Sequence, residues 1–122
     1  MHQNNWKNLV IEAIIEESKA DWISMGCLVG KLVELYTPFS DRLRMISSAT
    51  IVAHEMITIH GFQIGRLTYL SDGKGCGFLP TTEDPYDAII SAIEERFGPT
   101  NDGLSTWFDR PLSRHQQETN SD

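Results

Sequence analysis

Cations are scarce in this chain, and they are missing where one would look for them first. Residues 45 to 65, MISSATIVAHEMITIHGFQIG, read as a long helix running into a strand and hold no lysine or arginine. The whole 122 residues carry 10 Lys+Arg against 17 Asp+Glu, a formal charge of -7. Nucleic-acid binding displaces counterions with several cations gathered on one surface. Only Arg42, Arg44, Arg66 and Lys74 are placed to contribute here, so nucleic acid is not the expected partner. An acidic chain binds anionic membrane poorly and basic proteins well, although solubility alone accounts for many acidic surfaces.

Cysteine is nearly absent too. Cys27 and Cys76 lie far apart with no metal-type spacing, which reads as two free thiols in a reducing compartment. The N-terminus MHQNNWKN has no basic n-region, and Glu12 breaks the apolar stretch from Leu9 to Ile15. No run approaches the roughly 18 apolar residues that cross a bilayer. The expectation is a cytoplasmic protein without a membrane span.

Motifs for chemistry are also wanting. HEMITIH, residues 54 to 60, suggests a zinc-protease helix, but that motif needs histidines four apart. Six apart, at about 100° per residue, His54 and His60 point in different directions and cannot share an ion. The reading is a partly buried His54 and a helix-end His60 that suits the helix dipole. DGKGCG, residues 72 to 77, lacks the GxxxxGK[ST] order of a phosphate loop and joins two strands, so it reads as a turn. Cys76 has no activating base suggested nearby. Glu16 and Glu17, like Glu94 and Glu95, are sequence neighbours that diverge around a helix. No catalytic constellation, metal site or cofactor site is expected, and the chain reads as a non-enzyme.

What is present is a regular succession of elements. Apolar content of 40% and charged content of 22% are ordinary for a globular protein, and the length suits one domain. Trp6, Leu9, Val10, Ala13 and Ile14 recur at helical spacing and predict a helix over about 5 to 19. An extended piece follows at Asp21 to Ile23. Ser24 then caps a second helix, MGCLVGKLVELY, which ends before Pro38. Its Gly26 and Gly30, one turn apart, would admit a close helix neighbour.

Ser40 is the predicted cap of a third helix and Gly61 its terminator. Leu43, Ile46, Ala49, Ala53 and Ile57 form one apolar stripe, and Met45, Val52, Met56 and Ile59 form another. Such a helix is expected to be covered nearly all round, at the centre of the domain. Phe62 and Ile64 then alternate at strand spacing, and Leu67 and Tyr69 alternate with the opposite parity, which predicts a bulge at Gly65. SDGKG, residues 71 to 75, turns the chain into CGFLP to make a hairpin. Asp84 caps a last helix with Pro85 in its first turn, running to Phe97, with Tyr86, Ile89, Ile90 and Ile93 facing inward.

Three helices, a hairpin and a fourth helix make a mainly α fold with a small β-hairpin, an α+β class. The order is that of a winged helix. The stretch from DWISMGCLVGKLVEL to DPYDAIISAIEERFG, residues 21 to 98, resembles a loose group of small bacterial proteins with a winged-helix-like layout. The shared features are Trp22 before the second helix, a long helix running into HGFQIGRL, the Gly77-Phe78 pair in the wing, and a final helix opening at DPYD. Some members look like immunity proteins of bacterial toxin–immunity pairs, including contact-dependent inhibition systems. That resemblance implies a small acidic protein that blocks a toxin domain, often a nuclease. Residues 1 to 98 are thus expected to form the winged-helix-like domain, and 99 to 122 a polar tail ordered only around Trp107 and Phe108.

The acidic side suggests where a partner would dock. Between residues 83 and 102 stand Glu83, Asp84, Asp87, Glu94, Glu95 and Asp102 against Arg96 alone, and Trp107, Phe108 and Asp109 follow. Acids beside exposed aromatics would suit a basic protein, with charge setting rate and register and aromatics acting as anchors. Alternatively Trp107 and Phe108 fold back as a C-terminal staple. Three functions stay open at this point: a toxin-binding immunity protein, a winged-helix DNA-binding regulator using the four cations above, and an adaptor in a protein assembly.

Overall fold

A computed structural model of the chain describes residues 5–38, 40–71, 73–98 and 105–111. Four helices and a four-stranded antiparallel sheet enclose one hydrophobic core. In chain order the elements are α1 (Asn5–Ser18), β1 (Ile23–Ser24), α2 (Met25–Leu35), α3 (Arg42–Thr58), β2 (Gln63–Tyr69), β3 (Cys76–Pro80), α4 (Pro85–Arg96) and β4 (Trp107–Asp109). Among the described residues no helix is long and apolar enough to cross a membrane.

The helix boundaries follow local chemistry. Ser24 caps α2 as expected, its hydroxyl accepting from the Cys27 amide at 3.0 Å. Asp41, one residue beyond the expected Ser40, caps α3 by accepting from the Arg44 amide at 3.3 Å. Gly61 adopts a φ of 74°, and the Phe62 amide reaches back to the Met56 carbonyl at 2.9 Å. A glycine enters that left-handed region without steric cost.

The core lies where the four helices and the sheet meet. Val10, Ile11 and Ile14 of α1, Leu28 and Leu32 of α2, and Met45, Val52 and Met56 of α3 are all buried. From the sheet side Ile23, Ile64 and Phe108 close it, and Phe108 is wholly inaccessible. Trp6 stacks on Tyr36 with centroids 4.1 Å apart, fastening the start of α1 to the end of α2. Lys7 bonds Glu55 at 2.6 Å and ties the same helix to α3.

Four expectations from the sequence change here. First, α3 is covered on one side only: Leu43 is 83% exposed and Ile51 42%, while Ile59, 64% exposed, sits just past the helix end. Its buried stripe is Met45, Ala49, Val52, Ala53 and Met56, and the opposite face meets solvent. Second, β2 contains no bulge. Its pairing runs unbroken from Gly65↔Pro80 to Tyr69↔Cys76. Gly65 serves a close approach instead, because a Cβ there would overlap the Leu79 carbonyl oxygen and lie 2.8 Å from the Pro80 Cα. The parity of Leu67 and Tyr69 differs because β2 runs out past the helical layer, where neither face is well covered. Third, Gly30 has no neighbour within 4 Å of the space a Cβ would take, so it admits no helix.

The fourth change concerns residues 99 to 122. The sheet order is β1-β4-β2-β3. Within the stretch expected to be a tail, β4 pairs with β1 through Ile23↔Phe108 and with β2 through Ile64↔Phe108. A boundary at residue 98 would divide the sheet, so residues 105–111 belong to the domain. Leu104 and residues 112 to 122 lie outside the described residues.

Candidate functional site

The acidic face is built on α4. Asp84 starts the helix, its Oδ1 accepting from the Tyr86 amide at 2.7 Å and from the Asp87 amide at 3.4 Å. Ala88, Ile89, Ala92 and Ile93 turn inward. At about 100° per residue the opposite side is then centred on Asp87 and Glu94. Ser91 and Glu95 fall on one flank of that side, and Tyr86 and Ile90 on the other.

Tyr86 and Ile90 were expected to face inward, and both are exposed, at 48% and 42%. The small side chains of Ala88 and Ala92 settle the rotation, since they let α4 lie close to its neighbours. Their four-residue spacing is the sequence signal for it.

Contacts at the two ends of α4 fix its direction. Arg42 of α3 donates from Nη2 to the Phe97 carbonyl at 2.7 Å, with its guanidinium 5.6 Å from the Phe97 ring centre. At the other end the ring of His54 meets Tyr86 edge-on, centroids 5.4 Å apart and planes at 81°. The two helices are therefore antiparallel. His54 is exposed against the expected partial burial, and its ring rests on Tyr86.

On the Ser91–Glu95 flank a cleft of about 450 Å³ opens between α4, the β2–β3 hairpin and residues 105 and 106. Glu83 and Glu95 line it together with Arg66 and the hydroxyl residues Thr81, Ser91 and Thr106. Glu83, Asp87, Glu94 and Glu95 are all exposed and make no ion pair with another described residue. Of the nine residues singled out in the sequence, these four share one side of the molecule. Asp84 is engaged as the helix cap, and Asp102 lies outside the described residues.

The three residues of β4 separate from that group. Phe108 cannot anchor a partner because it is a core residue between β1 and β2. Trp107 and Asp109 are half-buried beside it and held in the ladder, Trp107 opposite Ser24 and Asp109 opposite Gln63. The staple reading holds for Phe108.

The four candidate cations are distributed differently from a nucleic-acid footprint. Arg42 is engaged with Phe97, and Arg44 pairs with Asp41 at 3.5 Å. Arg66 lines the same cleft as Glu83 and Glu95. Among the described residues no three His, Cys, Asp or Glu side chains converge in a way that could hold a metal ion.

Two groups elsewhere have displaced acidities. The Cys27 thiol is pushed up from its ordinary value, first by burial and then by the neighbouring Glu17 carboxylate. Lys31 is also raised, chiefly by its hydrogen bond to Glu17, at 2.9 Å. Both lie on α2, beside Glu17 of α1. Compared with family models, curated proteins and solved structures, the chain matches none.

Proposed function

We propose that this chain is a non-enzymatic binding protein of winged-helix-like layout that neutralises a basic partner protein. The partner class to test first is the toxin domain of a bacterial toxin–immunity pair, with a basic nuclease domain as its most direct form. The observation that carries this reading is the exposed side of α4 and the turn before it, where Glu83, Asp87, Glu94 and Glu95 make no ion pair with another described residue. A surface with an excess of one sign is unfavourable for the free protein and favourable for a complementary partner.

The order α1, β1, α2, α3, β2, β3, α4 supports the winged-helix part, with β4 standing between β1 and the hairpin. A helix-turn-helix origin need not imply DNA binding, since function resides in the surface and not in the fold. The engagement of Arg42 and Arg44 weighs against the regulator alternative.

The test is capture of the tagged protein from a bacterium that carries it, with bound proteins identified and nucleic acid assayed in parallel. The expected result is a stoichiometric basic protein whose expression kills cells unless this chain is co-expressed. Recovery of specific DNA without protein, with affinity falling several log units per log unit of salt, would replace the proposal by the regulator.

A further inference from the structure

Tyr86 and Ile90, which α4 leaves exposed, lie on the flank of α4 that meets α3 through the Tyr86–His54 contact, and this flank and the exposed side of α3 bound a seam. On α3, Leu43, Thr50 and His54 follow at helical intervals along the exposed face, and His54 there touches Tyr86 of α4. On α4, Tyr86 and Ile90 lie along the opposite bank, and Asp87 and Glu94 stand just behind them. The His54–Tyr86 contact closes one end of the seam, and the Arg42–Phe97 contact closes the other. From Leu43 to His54 it runs for about 16 Å at 1.5 Å per residue, roughly three turns of helix. Leu43 is 83% exposed, more than a core leucine would ever be.

We infer that this seam is the docking groove for an amphipathic helix of the partner, apolar along one stripe and basic along its flank. This rests on the reading of the chain as a protein-binding molecule and states where the partner sits. Two antiparallel helices offer a shallow groove into which a third helix lays anchors at i, i+3 or i+4, and i+7. Charge decides the rest. The α4 bank carries Asp87 and Glu94 with no described cation against them, so the occupant brings lysine or arginine on that flank. A second copy docking seam to seam would set Asp87 and Glu94 against the same acids, and like charges repel. Anionic membrane is repelled by the same acids. The anchors assigned here are Leu43, Tyr86 and Ile90, in place of the aromatics of β4.

The experiment uses the full chain and a synthetic 14-residue helical peptide with leucine on one stripe and lysine elsewhere. A peptide of the same composition in scrambled order serves as its comparison. Titration with amide chemical-shift mapping is expected to give saturable binding, with shifts centred on residues 43 to 54 and 86 to 94. The scrambled peptide should bind at least about tenfold more weakly, since it lacks a continuous apolar stripe. Ile90→Lys and Glu94→Lys should each weaken the ordered peptide about tenfold or more. Leu9→Lys, on the exposed side of α1, should leave it unchanged, and an unchanged melting temperature in each variant shows that the fold is intact.

Equal binding of both peptides, shifts centred elsewhere, or no binding at low salt would overturn the seam. So would indifference to Ile90→Lys. The parent reading fails by a different sign, the capture of DNA without protein. A basic toxin that still binds the Ile90→Lys variant would leave that reading in place and remove the groove.

Discussion

At the residue scale, Gly65 shows how a single missing Cβ fixes an assembly. It is the point where β2 has β3 on one side and β4 on the other, through Pro80 and Trp107. Gly65→Ala would drive a methyl group into β3's backbone, which cannot swing away as a flexible side chain could. The expected loss is about 1–3 kcal/mol, the range for overpacking, read from chemical denaturation. A comparable alanine at Gly73, where φ is 72° and the space is open, should cost only about 1 kcal/mol from backbone strain. If the two substitutions cost the same, the close approach at Gly65 is not what that residue provides.

The thiols give a second test at this scale. Cys76 is exposed and Cys27 is half-buried, with its acidity weakened by burial and by Glu17. Since the thiolate is the reactive form, a maleimide at pH 8 should label Cys76 rapidly and Cys27 slowly. Glu17→Gln should speed the labelling of Cys27. Cys27 and Lys31 both have folded acidities raised above their unfolded values. The stability they contribute is therefore complete below the unfolded values and is lost as pH climbs through the folded ones. The melting temperature should begin to fall above pH 9.0 as unfolded thiols ionise, and fall further above 10.5 as unfolded lysine loses its proton. A melting temperature that is flat to pH 11 would contradict both shifts.

At the element scale, helices were legible in the sequence because their signals are local. Ser24, Gly61, Asp84 and Pro85 mark ends by chemistry that acts within a few residues, and all four do so in the structure. The hairpin was legible for the same reason, through its glycine-rich turn. What could not be read was which way α4 turns and where β4 goes. Those depend on tertiary neighbours: α4 is rotated by what it packs against, and β4 is three residues whose strand character exists only between β1 and β2. The candidate site divides along the same line, with its acids recoverable from composition and its apolar anchors not. Two substitutions separate these contributions. Asp84→Ala removes a local cap and should cost about 1 kcal/mol. Phe108→Ala empties a fully buried position and should cost about 3–5 kcal/mol, measured in the same denaturation series.

At the scale of the whole molecule, the sheet makes the two ends of the chain interdependent. β1 has two residues and, among the described residues, pairs with the sheet only through β4. The Met25 amide donates to the Thr106 carbonyl at 3.0 Å, so the start of α2 also leans on that segment. A chain ending at Gly98 would keep every helix and the hairpin, yet it would leave Ile23 and Ile64 without Phe108 between them. Without β4 the β1 side of the core is joined to the hairpin only through the helices, and cooperative unfolding weakens as such coupling is lost. The truncated chain is expected to keep much of its helical circular dichroism, to lose its sharp thermal transition, and to regain that transition when a peptide of residues 99 to 122 is added in excess. A sharp transition in the truncated chain alone would mean that residues 1 to 98 are a self-sufficient domain and that β4 is an ornament upon it. Binding measured on the same truncated chain then separates two roles of the C-terminal stretch. If β4 acts by holding the sheet, the peptide should restore partner binding in step with the thermal transition. If its aromatics touched the partner directly, binding and folding would recover at different peptide concentrations.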